Sequence, residues 1–186
     1  MAKLYSEIDT DMAAWIEAQP LFFNATAPLS EEGHVNLSPR GLDTLRVLGP
    51  REVVYLDLTG SGNETAAHLG ENGRITLMFC AFSGKPKILR LYGQGRVVAP
   101  GEPEWDSLRC LFPASLKGER QIVRVDVRRI QSSCGFGVPL MDYRSQRDEL
   151  MAWTGKKGPE GIKEYHARKN AVSIDGLPAP GMVREN

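Results

Sequence analysis

Apolar and polar positions change period several times along this chain, and the changes mark its elements. Residues 5–19 interleave acids with Met12, Ala13, Trp15, Ile16 and Ala18, an apolar face at helical spacing. Pro20 ends that run, because proline cannot continue the helical hydrogen-bond ladder. Residues 21–27 are apolar, aromatic-rich and bounded by prolines, which predicts a strand. Across the Glu31-Glu32-Gly33 turn, residues 34–38 alternate, and the two segments predict a hairpin. Residues 45–48 and 52–58 predict a second strand pair around Gly49-Pro50. A glycine-loosened turn at residues 59–62 then runs into an alanine-rich helix. Residues 74–82 and 87–98 carry the strongest strand patterns, joined by Ser83-Gly84-Lys85-Pro86. A short helix over 104–112 precedes residues 121–130, where apolar and charged side chains alternate as in a strand with one wet face. Two helices, 142–153 and 159–170, are split by Gly155-Lys156-Lys157-Gly158, and the proline-rich tail is irregular. Six strands with short connections predict an antiparallel, closed barrel with helices around it. Few helices sit between successive strands, which argues against a βαβ architecture.

The whole chain is 186 residues, the size of one ordinary domain, with 41% hydrophobic and 25% charged residues. Lys and Arg number 23 and Asp and Glu 23, so the formal charge is zero and the basic excess of a phosphate-tracking nucleic-acid binder is missing. No apolar run reaches the ~18–20 residues of a bilayer span. Acids stand near the N-terminus where a signal peptide needs an apolar core. Cys80, Cys110 and Cys134 form no CxxC pair and read as reduced thiols. These features set the expectation of a cytoplasmic protein without membrane or nucleic-acid partners.

Two segments carry candidate chemistry. Ser61-Gly62-Asn63-Glu64 has the spacing of a capping box, with Asn63 as an alternative N-cap. Free amides at such a helix start, with glycines allowing close approach, also suit an anion. The pattern alone leaves both readings open, and it matches neither the dinucleotide nor the P-loop fingerprint. In Val35-Asn36-Leu37-Ser38-Pro39-Arg40-Gly41, alternation puts Asn36 and Ser38 on one face with Arg40 following, either a ligand strand or an edge strand with a solvated cation.

The order of these segments resembles a known family: VNLSPRG, VVYLDLTG, GSGNETAAHLGENGR, ITLMFCAF and ILRLYGQGRVV in succession are similar to the pyridoxamine 5'-phosphate oxidase-like flavin-binding split barrels, over about residues 15–132. SSCGFGVPLMDY and the tail resemble an oxidase-related subgroup. The resemblance implies a mainly β fold, a six-stranded antiparallel split β-barrel with surrounding helices. It implies a barrel over residues 1–132 and a helical C-terminal extension over 133–186. It further implies a homodimer with FMN between the subunits and a flavin-dependent oxidoreductase activity on an unnamed small-molecule substrate. On that pattern Asn36, Leu37 and Ser38 face the isoalloxazine, and Arg40 takes a usual Lys/Arg place. Leu58 and Thr59 meet the ribityl and ring edge, and Asn63, Glu64 and Thr65 lie at the helix start that holds the phosphate. The oxidases carry basic residues where Glu64 and Thr65 stand, and their C-terminal Arg-x-His pair is not recognisable here, with Gly176 in place of an arginine. The alternatives are a non-catalytic flavin-storage or sensing module, and haem or deazaflavin on the same barrel.

His34, His68 and His166 have no metal-ligand spacing, and His34 is the one candidate axial haem ligand. His68 reads as a surface or boundary side chain. Cys134 reads as a small buried hydrophobe or as a glycine-flanked contact. Trp105, Trp153, Phe136 and Tyr143 read as packing residues, and Arg124, Arg128 and Arg129 as a solvated or inter-subunit face. No side chain is singled out as catalytic.

Overall fold

The computed structural model describes residues 2–182. In chain order the elements are β1 (Lys3–Tyr5), α1 (Thr10–Glu17), β2 (Phe22–Thr26), β3 (Asn36–Arg40), β4 (Leu45–Gly49), β5 (Glu52–Leu58), α2 (Glu64–Asn72), β6 (Arg74–Cys80), β7 (Ile88–Val98), α3 (Trp105–Arg109), β8 (Glu119–Ser133) and α4 (Glu149–Lys169). Helices and strands are mixed, and all eight strands join one antiparallel sheet. Its order is β3-β2-β6-β7-β8-β5-β4, with β1 paired to β8 beyond the end of the β5 ladder.

This topology forces the sheet to curl. The outer strands β3 and β4 are joined by the four residues 41–44, whose span from Arg40 to Leu45 is at most about 18 Å. A flat sheet of seven strands would separate those edges by about 29 Å. β3 and β4 nevertheless do not pair, so the sheet is bent round without closing. The connecting loop is strained: Leu42 and Asp43 both take left-handed backbone conformations, with φ of 66° and 54°.

Strand alternation divides the core in two. Along β5, Val53 and Tyr55 enter the cluster inside the curl with Phe22, Leu77, Leu91 and Val123. Val54, Leu56 and Leu58 enter a second cluster, with Ile122, Leu108 and Phe112, under α3 and the start of α4. Both faces of β5 are therefore covered, which is why its sequence reads as a nearly continuous apolar run. The same alternation puts Asp57 inside with Tyr55, at 0% exposure.

Several expectations need correction. The strands number eight, and the barrel is not closed. β1 was not foreseen, because three residues are too few to show a period, and β8 extends at both ends beyond residues 121–130. Residues 142–148 are not helical. α4 breaks at Gly158, whose φ/ψ of 66°/172° is open to glycine alone, and Pro159 starts its second half. The glycine-lysine segment thus marks the break, and the helix resumes immediately after it. No helix among the described residues is long and apolar enough to cross a membrane.

Candidate functional site

Alternation along β3 turns Asn36, Ser38 and Arg40 to one side, half-buried, and leaves Leu37 exposed on the other. Opposite them on β2, Ser38 pairs with Asn24 and Asn36 with Thr26. The first turn of α2 lies over this polar row. Thr65 Oγ1 accepts from Asn24 Nδ2 at 2.8 Å and from Asn36 Nδ2 at 3.0 Å. Asn36 Nδ2 also donates to Thr26 Oγ1, and Ser38 Oγ donates to Asn36 Oδ1 at 2.8 Å. Behind it His68, fully buried, shares a hydrogen bond with Thr26 through Nδ1. Its sequence reading as a boundary residue fails because α2 is clamped against β2 along this face.

Arg40 links the row to the interior. Its Nε donates to Asn24 Oδ1 at 2.9 Å, and its Nη1 stands 2.6 Å from Asp57 Oδ1 as an ion pair. The other Asp57 oxygen accepts from Arg120 Nε and Nη2, at 3.1 and 2.9 Å, and from Gln121 Nε2 at 2.7 Å. Burial alone would raise the Asp57 carboxyl, but Arg120 and then Arg40, helped by Gln121, hold it below the usual carboxylate range. Burial pushes the Tyr55 phenol up, so Tyr55 stays neutral. Two guanidiniums share one carboxylate, and the group carries one net positive charge. The Arg120 side chain is 1% exposed and that of Arg40 17%, so Arg40 presents the excess charge outward.

The network continues to the C-terminal segment. Gln121 Nε2 donates to Asn63 Oδ1, Asn63 Nδ2 to the Asn170 carbonyl, and Asn170 Nδ2 to the Gly60 carbonyl. Tyr55 Oη, Gln121 Oε1 and Asn170 Oδ1 are buried without a hydrogen-bond partner among the described residues. Asn63 occupies the N-cap position of α2, yet its side chain faces this network instead of the helix amides. The capping box is not formed: Glu64 Oε2 accepts from the Ile174 amide in the tail. The first turn of α2 therefore has no side-chain cap, a donor-rich end beside an excess cation, which is an arrangement suited to an anion.

Of the residues singled out from sequence, Asn36, Ser38, Arg40 and Thr65 come together directly, and Asn63 joins them through Gln121 and Asp57. Leu58 does not, being buried on the opposite face of β5. Leu37 faces outward, Glu64 is held by the tail, and Thr59 binds Gly118 and His166. Asn24, Asp57, Arg120 and Gln121 escaped the sequence reading. Their one signal was a polar side chain at an inward position of an otherwise apolar strand, as in Phe22-Phe23-Asn24 and Tyr55-Leu56-Asp57. His34 is largely exposed and bound to Asp175, at 2.7 Å between Nδ1 and Oδ1. Cys134 and Phe136 are exposed, and Trp153 packs edge-on against Tyr165. Arg124 pairs with Glu52 and Glu104.

A sequence profile described as pyridoxamine 5'-phosphate oxidase matches residues 8–134, which span α1 to the end of β8. Over 196 aligned positions the chain is 37% identical to the pyridoxamine 5'-phosphate oxidase family protein ustO of Aspergillus flavus, across 96% of this chain and 78% of that one. Among solved structures it is similar to HupZ of Group A Streptococcus, with TM-score 0.55 and 20% identity over 66% of this chain and 91% of that one. It is also similar to a candidate pyridoxamine 5'-phosphate oxidase of Lactobacillus delbrueckii, with TM-score 0.52 and 14% identity over 69% and 98% of the two chains. At those identities the structural likeness is one of fold, whereas the profile match and the fungal relative reach the sequence itself. The chain belongs to the pyridoxamine 5'-phosphate oxidase family.

Proposed function

We propose that this protein binds FMN along β3 and the first turn of α2 and acts as a flavin-dependent oxidoreductase. The observation that carries the reading is the net positive Arg40–Asp57–Arg120 group beside an uncapped helix start. The donor set fits a phosphate-bearing, polar-edged ligand. Arg40, Thr65 and the α2 amides would hold the phosphate, and Asn36 and Ser38 would meet the polar edge of the ring. Glu64 is opposed to an anion, and its carboxylate is engaged by the Ile174 amide. A bound flavin supplies the electron-transfer chemistry, and the protein supplies position and electrostatics. Asn24 fixes the Arg40 guanidinium, and Asp57 holds it between the interior and the surface. A homodimer fits the exposed apolar side chains on and beside β3: Val35 and Leu37 are 72% and 63% exposed on an edge strand that a second copy would cover.

Fluorescence titration of flavin-free protein with FMN tests the reading. Arg40→Ala leaves Asp57 paired with Arg120, so the fold survives, while a lost charge-assisted contact weakens FMN by about tenfold or more. Equal affinity in the two proteins would remove Arg40 from the site, and no binding by either would remove the flavin reading. One feature favours flavin storage without turnover: the Asp57 carboxylate is tied into two ion pairs, and Tyr55 is held neutral. Anaerobic bleaching of bound flavin by a reduced nicotinamide donor separates enzyme from store.

A further inference from the structure

A cleft of about 600 Å³ lies between α4 and the start of β8. Its apolar wall is made by Thr154, Pro159 and Ile162, and its rim carries Lys117, Lys163 and Glu119. The volume is that of an ordinary small-molecule site. The opening is built by the backbone. Gly158 breaks α4 at this wall in a conformation only glycine adopts. Gly118, at φ 74°, admits the Thr154 methyl where a Cβ would collide with it.

His166 also lines the cleft, and its hydrogen bonds fix its tautomer. Thr59 Oγ1 has one proton, which it donates to the Gly118 carbonyl at 2.7 Å. At its 2.7 Å contact with His166 Nε2 the hydroxyl is therefore the acceptor, and Nε2 carries the hydrogen. Nδ1 is left with a lone pair and makes no hydrogen bond among the described residues. Burial and then the nearby Arg120 lower the imidazole pKa against the weaker opposing pull of Asp57, which keeps the ring neutral at pH 7.

The rim supplies charge. Glu119 is paired with Arg109, whereas Lys117 and Lys163 form no ion pair among the described residues. The residues lining the cleft thus include an apolar wall, a neutral imidazole with one unused acceptor and two unmatched ammonium groups. We propose that it binds a small organic acid whose ring or chain packs on Pro159 and Ile162, whose carboxylate meets Lys117 and Lys163, and whose hydroxyl or N–H donates to His166 Nδ1. The lining residues 117–119 run directly into Arg120, which bonds the Asp57 carboxylate shared with Arg40, so the ligand would lie near the proposed flavin site. The assignment does not depend on a flavin being bound there.

The test is a titration of the full chain, as purified and again with FMN added, using 3-hydroxybenzoate as probe. Benzoate lacks the donor and benzyl alcohol lacks the charge, and ¹⁵N-histidine spectra give a readout independent of activity. The expected result is a shift of the His166 Nδ1 resonance and an order of affinity with 3-hydroxybenzoate first. The Lys117→Gln/Lys163→Gln variant, altered only at exposed positions, binds it about three- to tenfold more weakly. His166→Phe erases the advantage of 3-hydroxybenzoate over benzoate. No shift at concentrations on the order of 10 mM, an unchanged affinity in the lysine variant, or a hydroxyl advantage that survives His166→Phe each overturns the proposal. Binding in protein that takes up no FMN keeps the cleft assignment and sinks the flavin reading alone.

Discussion

Replacing Asp57 with asparagine removes one negative charge from a carboxylate with no solvent exposure and keeps its shape. Arg120 then holds an unmatched charge with 1% of its side chain exposed, while the Gly62 carbonyl and the new amide oxygen still accept from it. Breaking one side of a buried ion pair costs about 3–5 kcal/mol. The amide NH2 then faces Arg40 Nη1 donor to donor, but the retained acceptors on Arg120 and the partial hydration of Arg40, which can turn outward, keep Asp57→Asn at about 3 kcal/mol. At roughly 2–4 °C per kcal/mol for a chain of this size, the thermal midpoint falls by about 6–12 °C. Scanning calorimetry at pH 7 measures it. Adding Arg120→Met removes the stranded charge and recovers at least half of the loss. The pH dependence follows from the depressed carboxyl. Its contribution to stability is fully present above the unfolded-state pKa of about 3.9 and is lost as pH falls through the lower folded value. Asp57→Asn therefore flattens the acid limb of the stability curve. A midpoint within about 2 °C of the parent, or a double variant no more stable than the single one, would refute the reasoning.

The other expectations test separate parts of the structure. Gly93 sits at the β7–β8 register shift, where a Cβ would run into the Asp126 carbonyl, so Gly93→Ala destabilises by about 2 kcal/mol or more in urea unfolding. Gly49→Ala, with open space around it, changes stability by less than about 1 kcal/mol in the same assay. The Asp175 carboxyl is held low by the His34 amide and then by the His34 ring. That clasp is present above the ordinary aspartate range and released as pH falls through the depressed value. Asp175→Asn speeds amide exchange in residues 173–179 with little change in the thermal midpoint, and unchanged exchange would show that the clasp does not hold the tail.

Much of the fold was legible because strands and turns leave local marks. The alternation in residues 34–38, the Gly49-Pro50 and Ser83–Pro86 turns and the glycines of α4 each point to an element within a few residues of its place. What escaped was either short, as β1, or settled by distant packing. Residues 142–153 have helical spacing, but the structure starts α4 only at Glu149. Ser61 and Glu64 have capping-box spacing, but the Ile174 amide, 110 positions away, takes the glutamate.

The sequence by itself determined the alternating faces of β3 and β5, the break in α4, the zero net charge, and the family through its ordered segments. Periodicity is a property of neighbours along the chain, so it can be read there. Only the tertiary structure decided that Asp57 is shared by Arg40 and Arg120, that His68 is buried, and that His166 bonds Thr59 and lines a cleft. These depend on which strands lie side by side after the sheet curls, and on a C-terminal helix returning to Thr59 and Asn63. The hydrogen bonds that fix them join residues dozens of positions apart, and the register of the ladders sets which groups meet.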